Sequence, residues 1–239
     1  NTTGDPALAE RVRASAAELG YTANPLARSL VLGRTQTIAV VIPDLGNPTF
    51  QSILRGLSRA AALDGYHVLI ADSAEQVDEE RLLATQTRDR TDGLILCAPR
   101  MPQAELDALI ERIAPVVVIN RTSTTSAPTI AADYHSALSE LIEHLYALGH
   151  RHVAYLFGVT RSASNAARVL ALDEALLAHA DLTVTHIEAG VDFDSGAAAA
   201  EPVAASGATA VLAFNDLVAM GLLSTLTDRG VNVPEDISI

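Results

Sequence analysis

From residue 37 onward the chain alternates short unbroken apolar runs with amphipathic stretches, and few folds accept that pattern. The runs at residues 38–42, 68–71, 94–97 and 116–119 are built from Val, Ile, Leu and Ala, with Cys97 closing the third, and do not alternate with polar residues. A half-exposed strand would read apolar, polar, apolar. An unbroken run is what a strand needs when helices cover both faces of a parallel sheet. Between the runs, residues 48–64, 77–90 and 103–113 read as helices, and Gly65-Tyr66 reads as a stop after the first. The pattern then resumes, with strands predicted at 152–157, 183–188 and 209–214 and helices at 134–148, 164–179, 194–206 and 215–229. The polar segment 121–128 separates the two series. The expectation is an α/β fold with two doubly wound parallel-sheet subdomains, 37–131 and 132–239, and a crossover near 120–132. Parallel neighbours need crossover helices, and the helices are present.

Residues 1–36 differ. Asp5 and Pro6 suit the N-cap and first position of a helix over residues 7–19, which Gly20 ends. Asn24 and Pro25 then introduce a helix-capable piece that runs to Leu30 and is too short to hold alone in water. The chain carries a formal net charge of -13, yet within residues 1–36 four arginines face three acids. A near-neutral arm on an acidic body reads either as an ordinary solvated helix or as the one end that meets DNA phosphates. All 16 basic residues are arginine.

Hydrophobic residues make up 49% and aromatics 4%, so a core of Ala, Val, Leu and Ile forms and global disorder is excluded. Cys97 ends an apolar run and reads as a buried strand thiol. With a single cysteine no disulfide closes within the chain, which fits a reducing, cytoplasmic setting. No apolar run reaches the length of a membrane helix, and the polar first residues do not read as a secretory signal. His144, His150 and His152 invite a metal, but no cysteine or carboxylate completes a ligand set at familiar spacing, so a structural role is expected. No Gly-rich phosphate loop, Gly-x-Ser-x-Gly or catalytic carboxylate pair is visible. The residues therefore predict no enzyme, no cofactor and no metal.

An ordered set of short motifs carries a resemblance. It begins with Glu18-Leu19-Gly20-Tyr21 and Pro25-Leu26-Ala27-Arg28-Ser29-Leu30. Arg34-Thr35-Gln36-Thr37-Ile38-Ala39-Val40-Val41-Ile42-Pro43-Asp44 and Asn47-Pro48-Thr49-Phe50 follow. Later come Asp92-Gly93-Leu94-Ile95-Leu96, Pro115-Val116-Val117-Val118-Ile119-Asn120-Arg121 and Leu148-Gly149-His150-Arg151. Phe214-Asn215-Asp216-Leu217-Val218-Ala219-Met220-Gly221 and Val233-Pro234-Glu235-Asp236-Ile237-Ser238 complete it. No piece decides alone. Together they resemble the LacI family of bacterial transcription regulators over nearly the whole chain.

The resemblance implies a periplasmic-binding-protein-like body, with residues 1–36 as a remnant of the DNA-binding headpiece plus a hinge helix. Most of the helix-turn-helix and the C-terminal end of the family's pattern are absent from the chain as it stands. The implied partners are operator DNA, a small-molecule effector of carbohydrate type and a second copy of the chain, with no membrane. The rival from the same fold is a periplasmic-type sugar-binding protein, which has no use for residues 5–36.

Within the hinge, the resemblance implies that Leu30 wedges into the minor groove while Asn24 caps, Ala27 allows close approach and Arg28 reaches phosphate. From spacing alone, the same segment reads as a linker whose leucines pack on the body. The effector is expected between the subdomains at the C-terminal ends of the strands. Pro43, Asp44, Asn47 and Phe50 follow the first strand, Asn120 and Arg121 the fourth, and Asn215 and Asp216 a late one. Arg168, in Ser162-Ala163-Ser164-Asn165-Ala166-Ala167-Arg168, matches a family arginine implied to bind effector. Asp44, Asn47 and Asn215 also read as helix caps, and Arg168 as a surface helix residue. Ala163 and Val191 stand where the family often has aromatics, which leaves Phe50, Tyr134 and Phe193 as stacking platforms. A small or atypical sugar, a nucleoside or another metabolite is the implied ligand.

Overall fold

The computed structural model of the protein describes residues 6–21, 31, 33–121 and 126–239. Asp5 and the hinge residues Asn24, Ala27, Arg28 and Leu30 lie outside the described residues. Helix α1 (Pro6–Glu18) has no buried residue.

Beyond it stand two parallel sheets. The first runs through β1 (Thr37–Ile42), α2 (Pro48–Leu63), β2 (His67–Asp72), α3 (Val77–Arg88), β3 (Gly93–Cys97), α4 (Gln103–Ile113), β4 (Val116–Ile119) and β5 (Thr129–Ile130), with spatial order β2-β1-β3-β4-β5. The second comprises α5 (Tyr134–Ala147), β6 (His152–Phe157), α6 (Ala163–Ala178), β7 (Thr183–Glu188), α7 (Phe193–Ala198), α8 (Ala200–Ser206), β8 (Ala210–Leu212) and α9 (Asp216–Asp228), with order β7-β6-β8. Every strand pair is parallel.

The unbroken apolar runs of the inner strands follow from how those strands are covered, whereas β2, at the edge of its sheet, leaves Leu69 and Ile70 exposed. Successive side chains point to opposite faces. In β1, Ala39 and Val41 pack with Leu106, Leu109 and Ile110 of α4, while Val40 and Ile42 pack with Phe50 and Leu54 of α2. In β6, Val153 and Tyr155 face α5 and α6, while Ala154 and Leu156 face the layer containing Val203, Val218 and Leu222. Both sheets are thus wound on both faces. Cys97 closes β3 within this core, and burial pushes its thiol up to about 12.

Three local features depart from the sequence reading. The expected helix at 194–206 is two helices. Pro202 has no N–H to give the Ala198 carbonyl and its ring crowds that oxygen, so the first helix ends there and a second starts at Ala200. The strand at 209–214 is shorter, because beyond β6 its outer edge meets only a bridge between Ala210 and Ser238. Directly after the polar segment lies a further strand, β5, which pairs with β4 through Val118 and Thr129. Its two residues are too few to register as a hydrophobic run.

Where the N-terminal segment enters β1, a single carboxylate receives it. Asp92 accepts from Thr35 N and Oγ1 and from Gln36 N at 2.7, 2.9 and 3.0 Å. Burial works against the charged carboxylate, but these donors outweigh it and hold the group below the usual carboxylate range.

Two glycines bring α7 and α9 together. A Cβ on Gly221 would run into the Phe193 carbonyl, and one on Gly196 into the Val218 carbonyl. Gly56, exposed in the middle of α2, faces open space. Urea denaturation should separate the two kinds of glycine. Gly221→Ala should lose roughly 1–3 kcal/mol through overpacking. Gly56→Ala should gain up to about 1 kcal/mol, the helix preference of alanine over glycine.

Candidate functional site

Each sheet places its first strand at an interior position, β1 between β2 and β3, and β6 between β7 and β8. The chain therefore leaves the central strand in opposite directions on its two sides, and a crevice opens at the C-terminal ends of the strands. In this protein the two crevices face each other. Asn47, Thr49 and Phe50 follow β1, Glu75 follows β2, Ala98 and Arg100 follow β3, and Asn120 follows β4. Opposite them lie Ser162 and Ser164 after β6, and Phe214 and Asn215 after β8, with Tyr134, Arg168 and Val191. They enclose a throat of about 70 Å³. It shares Thr49, Tyr134, Arg168, Phe214 and Asn215 with a wider chamber of about 480 Å³ that Asp216 also lines.

The backbone is bent against its preference around this space. Apart from Gln36, the described non-glycine residues with positive φ are Ala74 (48°), Glu75 (59°), Ala98 (46°) and Asn120 (56°). Three of the four line the throat. Holding an L-residue in the left-handed region costs about 1–2 kcal/mol each, and such strain persists only where the surroundings impose it. Here the strand ends impose it: Ala98 N donates to Ile119 O and Asn120 N to Ile130 O, at 2.6 and 2.7 Å.

Arg168, projecting from α6, stands at the centre. Its guanidinium lies 4.6 Å from the Tyr134 ring centroid and 5.1 Å from that of Phe214, and Nη1 donates to Phe214 O at 3.1 Å. This is a guanidinium flanked by aromatic rings in a half-buried site. Beneath it, the buried Tyr155 hydroxyl donates to Asn165 Oδ1 at 2.7 Å, and burial pushes its own ionisation up.

On the opposite wall Arg100 donates from Nε and Nη2 to Glu75 Oε2 and Oε1, at 2.7 and 2.9 Å. The loop carrying Arg100 is pinned from below. Its backbone N–H donates to Oε2 of the buried Glu80 at 2.8 Å. Burial raises the Glu80 pKa, opposed by that N–H and by the Arg100 charge. Arg121 donates to Pro99 O, Met101 O and Gln103 Oε1. Burial draws its pKa down, against the nearby charge of Glu80.

Of the residues expected from sequence, Asn47, Phe50, Asn120, Arg168 and Asn215 come together in the throat and Asp216 in the chamber. Three are placed elsewhere. Arg121 holds the loop beside the site, Asp44 Oδ1 accepts from Gly46 N to form a turn, and the Pro43 carbonyl accepts from Glu75 N. Cap and lining roles coexist at two positions. Asn47 caps α2 through Thr49 N, and Asn215 caps α9 through Val218 N while its Nδ2 donates to Val191 O at 2.8 Å. Of the stacking candidates, Phe50 and Tyr134 line the throat. Phe193 does not: it is half exposed at the start of α7, where Gly221 packs on its carbonyl. Sequence reasoning passed over Thr49, Glu75, Ala98, Arg100, Ser162 and Ser164. The strand-end rule that singled out Asn120 would have found Glu75 and Arg100, which occupy the same place after β2 and β3.

Residues 35–239 match the family described as periplasmic binding proteins and sugar binding domain of LacI family. The chain belongs to the LacI family. Among its relatives, the HTH-type transcriptional repressor CytR of Escherichia coli K12 is 31% identical over 98% of this chain and 70% of its own length. The transcription regulator CcpA of Lactococcus lactis superposes with a TM-score of 0.72 at 28% identity, covering 85% of this chain and 76% of its own. A sugar-binding LacI-family regulator from Escherichia coli, solved with phosphate, gives 0.70 at 26% identity over 86% and 77%. These relatives are regulators of transcription rather than enzymes. Among the described residues no helix is long and apolar enough to cross a membrane, and no group of three or more metal-ligating side chains gathers. Two of the LacI-family chain's histidines bind within the second sheet instead, His150 to Thr209 and His152 to Thr185.

The double duty of Asn215 is open to measurement by thermal or urea unfolding. Asn215→Ala should lose about 1–2 kcal/mol with its cap. Asn215→Asp, which keeps the acceptor for Val218 N and loses only the donor to Val191 O, should lose less.

Proposed function

We propose that this LacI-family chain is the effector-binding body of a ligand-responsive repressor, with a carbohydrate held between residues 37–131 and 132–239. The observation that carries the reading is the facing of the two strand-end crevices across Arg168. Forked donors, amide groups and hydroxyls converge there beside the Phe50, Tyr134 and Phe214 rings, which is the lining a polyhydroxylated ring calls for. Pro43, Asp44 and Arg121 support that lining from behind, and Asp216 meets ligand from the chamber. The match to CytR reaches into residues that precede the sugar-binding family model, which favours a regulator over a secreted binding protein.

In this reading operator DNA is the macromolecular partner and the active unit is a homodimer in the cytoplasm. The segment with Asn24, Ala27, Arg28 and Leu30 meets the minor groove. Effector binding changes the relative setting of the two halves and so the spacing of two such segments. Coupling arises because the ligand binds one setting more tightly than the other.

The test is a thermal-shift panel of uncharged pentoses, hexoses and nucleosides. A ligand that binds only the native state adds about 2.7 kcal/mol at a hundredfold excess over its Kd. At least one compound should give a saturable rise in Tm that Arg168→Ala abolishes and the exposed, distant Arg55→Ala leaves intact. A rise that survives Arg168→Ala would remove the cleft from the account.

A further inference from the structure

Glu75 and Arg100 belong to no motif of the sequence, yet they form the only carboxylate–guanidinium pair in the throat among the described residues. The Arg100 side chain is 6% exposed and that of Glu75 25%. We propose that Glu75 is a charge gate: it makes the cleft select an uncharged polyhydroxylated effector and reject a phosphorylated one. The proposal rests on the effector cleft described above and adds the class of ligand.

Without Glu75 the cleft has what a phosphate monoester needs. Two guanidiniums, Arg100 and Arg168, line it, and the N-terminal ends of α2, α6 and α9 open onto it through their capping residues Asn47, Ser162 and Asn215. Helix N-termini and forked guanidiniums are the usual cradle of such an anion. Glu75 removes one of those guanidiniums from play. Both of its oxygens are engaged, and they occupy the Nε and Nη2 fork of Arg100.

A phosphate seeking that fork would have to break the pair and leave a carboxylate beside its own charge in a half-buried site, where an unpaired charge is strongly disfavoured. The surroundings add to the repulsion. Asp216 lines the chamber on one side. On the other, Glu75 and Arg100 border an outer hollow lined by Asp78 and Glu79, with Arg161 as its further cation. A hydroxyl meets no such obstacle. It accepts from one of the remaining N–H groups of Arg100 or donates to a lone pair of Glu75.

The pair is also held in place by the backbone around it. Ala74 and Glu75 both take left-handed backbone to bring the carboxylate to this wall. Asp72 Oδ1 accepts from Ala74 N and Pro43 O from Glu75 N. The Glu80 carboxylate holds the Arg100 backbone from below.

Inorganic phosphate is a sufficient probe. Tm is followed against phosphate, with ionic strength held constant by chloride, for the parent, Glu75→Gln and the double variant Glu75→Gln/Arg100→Gln. The parent should respond to phosphate as it does to chloride. Glu75→Gln should gain saturable binding at least about tenfold tighter than the parent, the scale on which close charges act, and the double variant should lose the gain. Should Glu75→Gln not fold, Glu75→Ser carries the same titration. A parent that binds phosphate as tightly as Glu75→Gln, a Glu75 variant that gains nothing, or a double variant that keeps the gain would each overturn the gate. If the parent ignores every uncharged sugar while Glu75→Gln takes phosphate, the carbohydrate reading fails and with it the selection of an uncharged sugar, while the exclusion of phosphate by Glu75 stands.

Discussion

The parallel pairing of β1 with both β2 and β3, repeated by β6 with β7 and β8, is the constraint from which the rest follows. A central strand paired on both edges and covered on both faces has no polar side to show. It is therefore apolar along its length and must hand its polar business to the loops at its end. Those loops diverge because the chain departs to one side and later returns on the other. The cleft is the gap that this geometry leaves twice, and its residues are those that happen to stand where strands stop.

The polar groups of the cleft are held by the same elements. Asn47 and Asn215 cap helices, Arg121 and Glu80 pin the loop after β3, and four residues sit in left-handed backbone at or beside strand ends. Little of this is free to adjust. The strain and the buried charges would lower stability if they served nothing, and they gather at one place. A wall held in this way favours recognition by position over recognition by adaptation.

Much of the architecture was legible because burial leaves a one-dimensional trace. An unbroken apolar run marks a strand, and all four runs of the first half became strands, though β2 lies at the sheet edge with Leu69 and Ile70 exposed rather than covered on both faces. What leaves no such trace was missed. β5 is two residues long and follows directly on a polar segment, and the helix break before Ala200 turns on one proline within an alanine-rich stretch. The site divides in the same way. Asn120 and Asn215 were readable because they stand directly after apolar runs, and Asn47 because it stands at the start of the helix that follows one. The strand-end rule reaches Glu75 and Arg100 too, but their pairing leaves no trace in sequence, because it spans 25 positions and exists only once β2, β1 and β3 lie side by side. Arg121 was expected to face ligand for its position, but the loop beneath it offered carbonyls it could satisfy more closely.

Cys97 lies at the end of β3, 3% exposed, with its thiol pushed up to about 12, and it is the chain's single cysteine. A thiol so placed reacts slowly with the reagents that modify exposed cysteines. The protein thus comes with a silent background for labelling chemistry. One cysteine introduced on each wall of the cleft would accept a pair of dyes or spin labels with no native thiol to remove, and the distance between the walls could be followed in the otherwise unaltered chain.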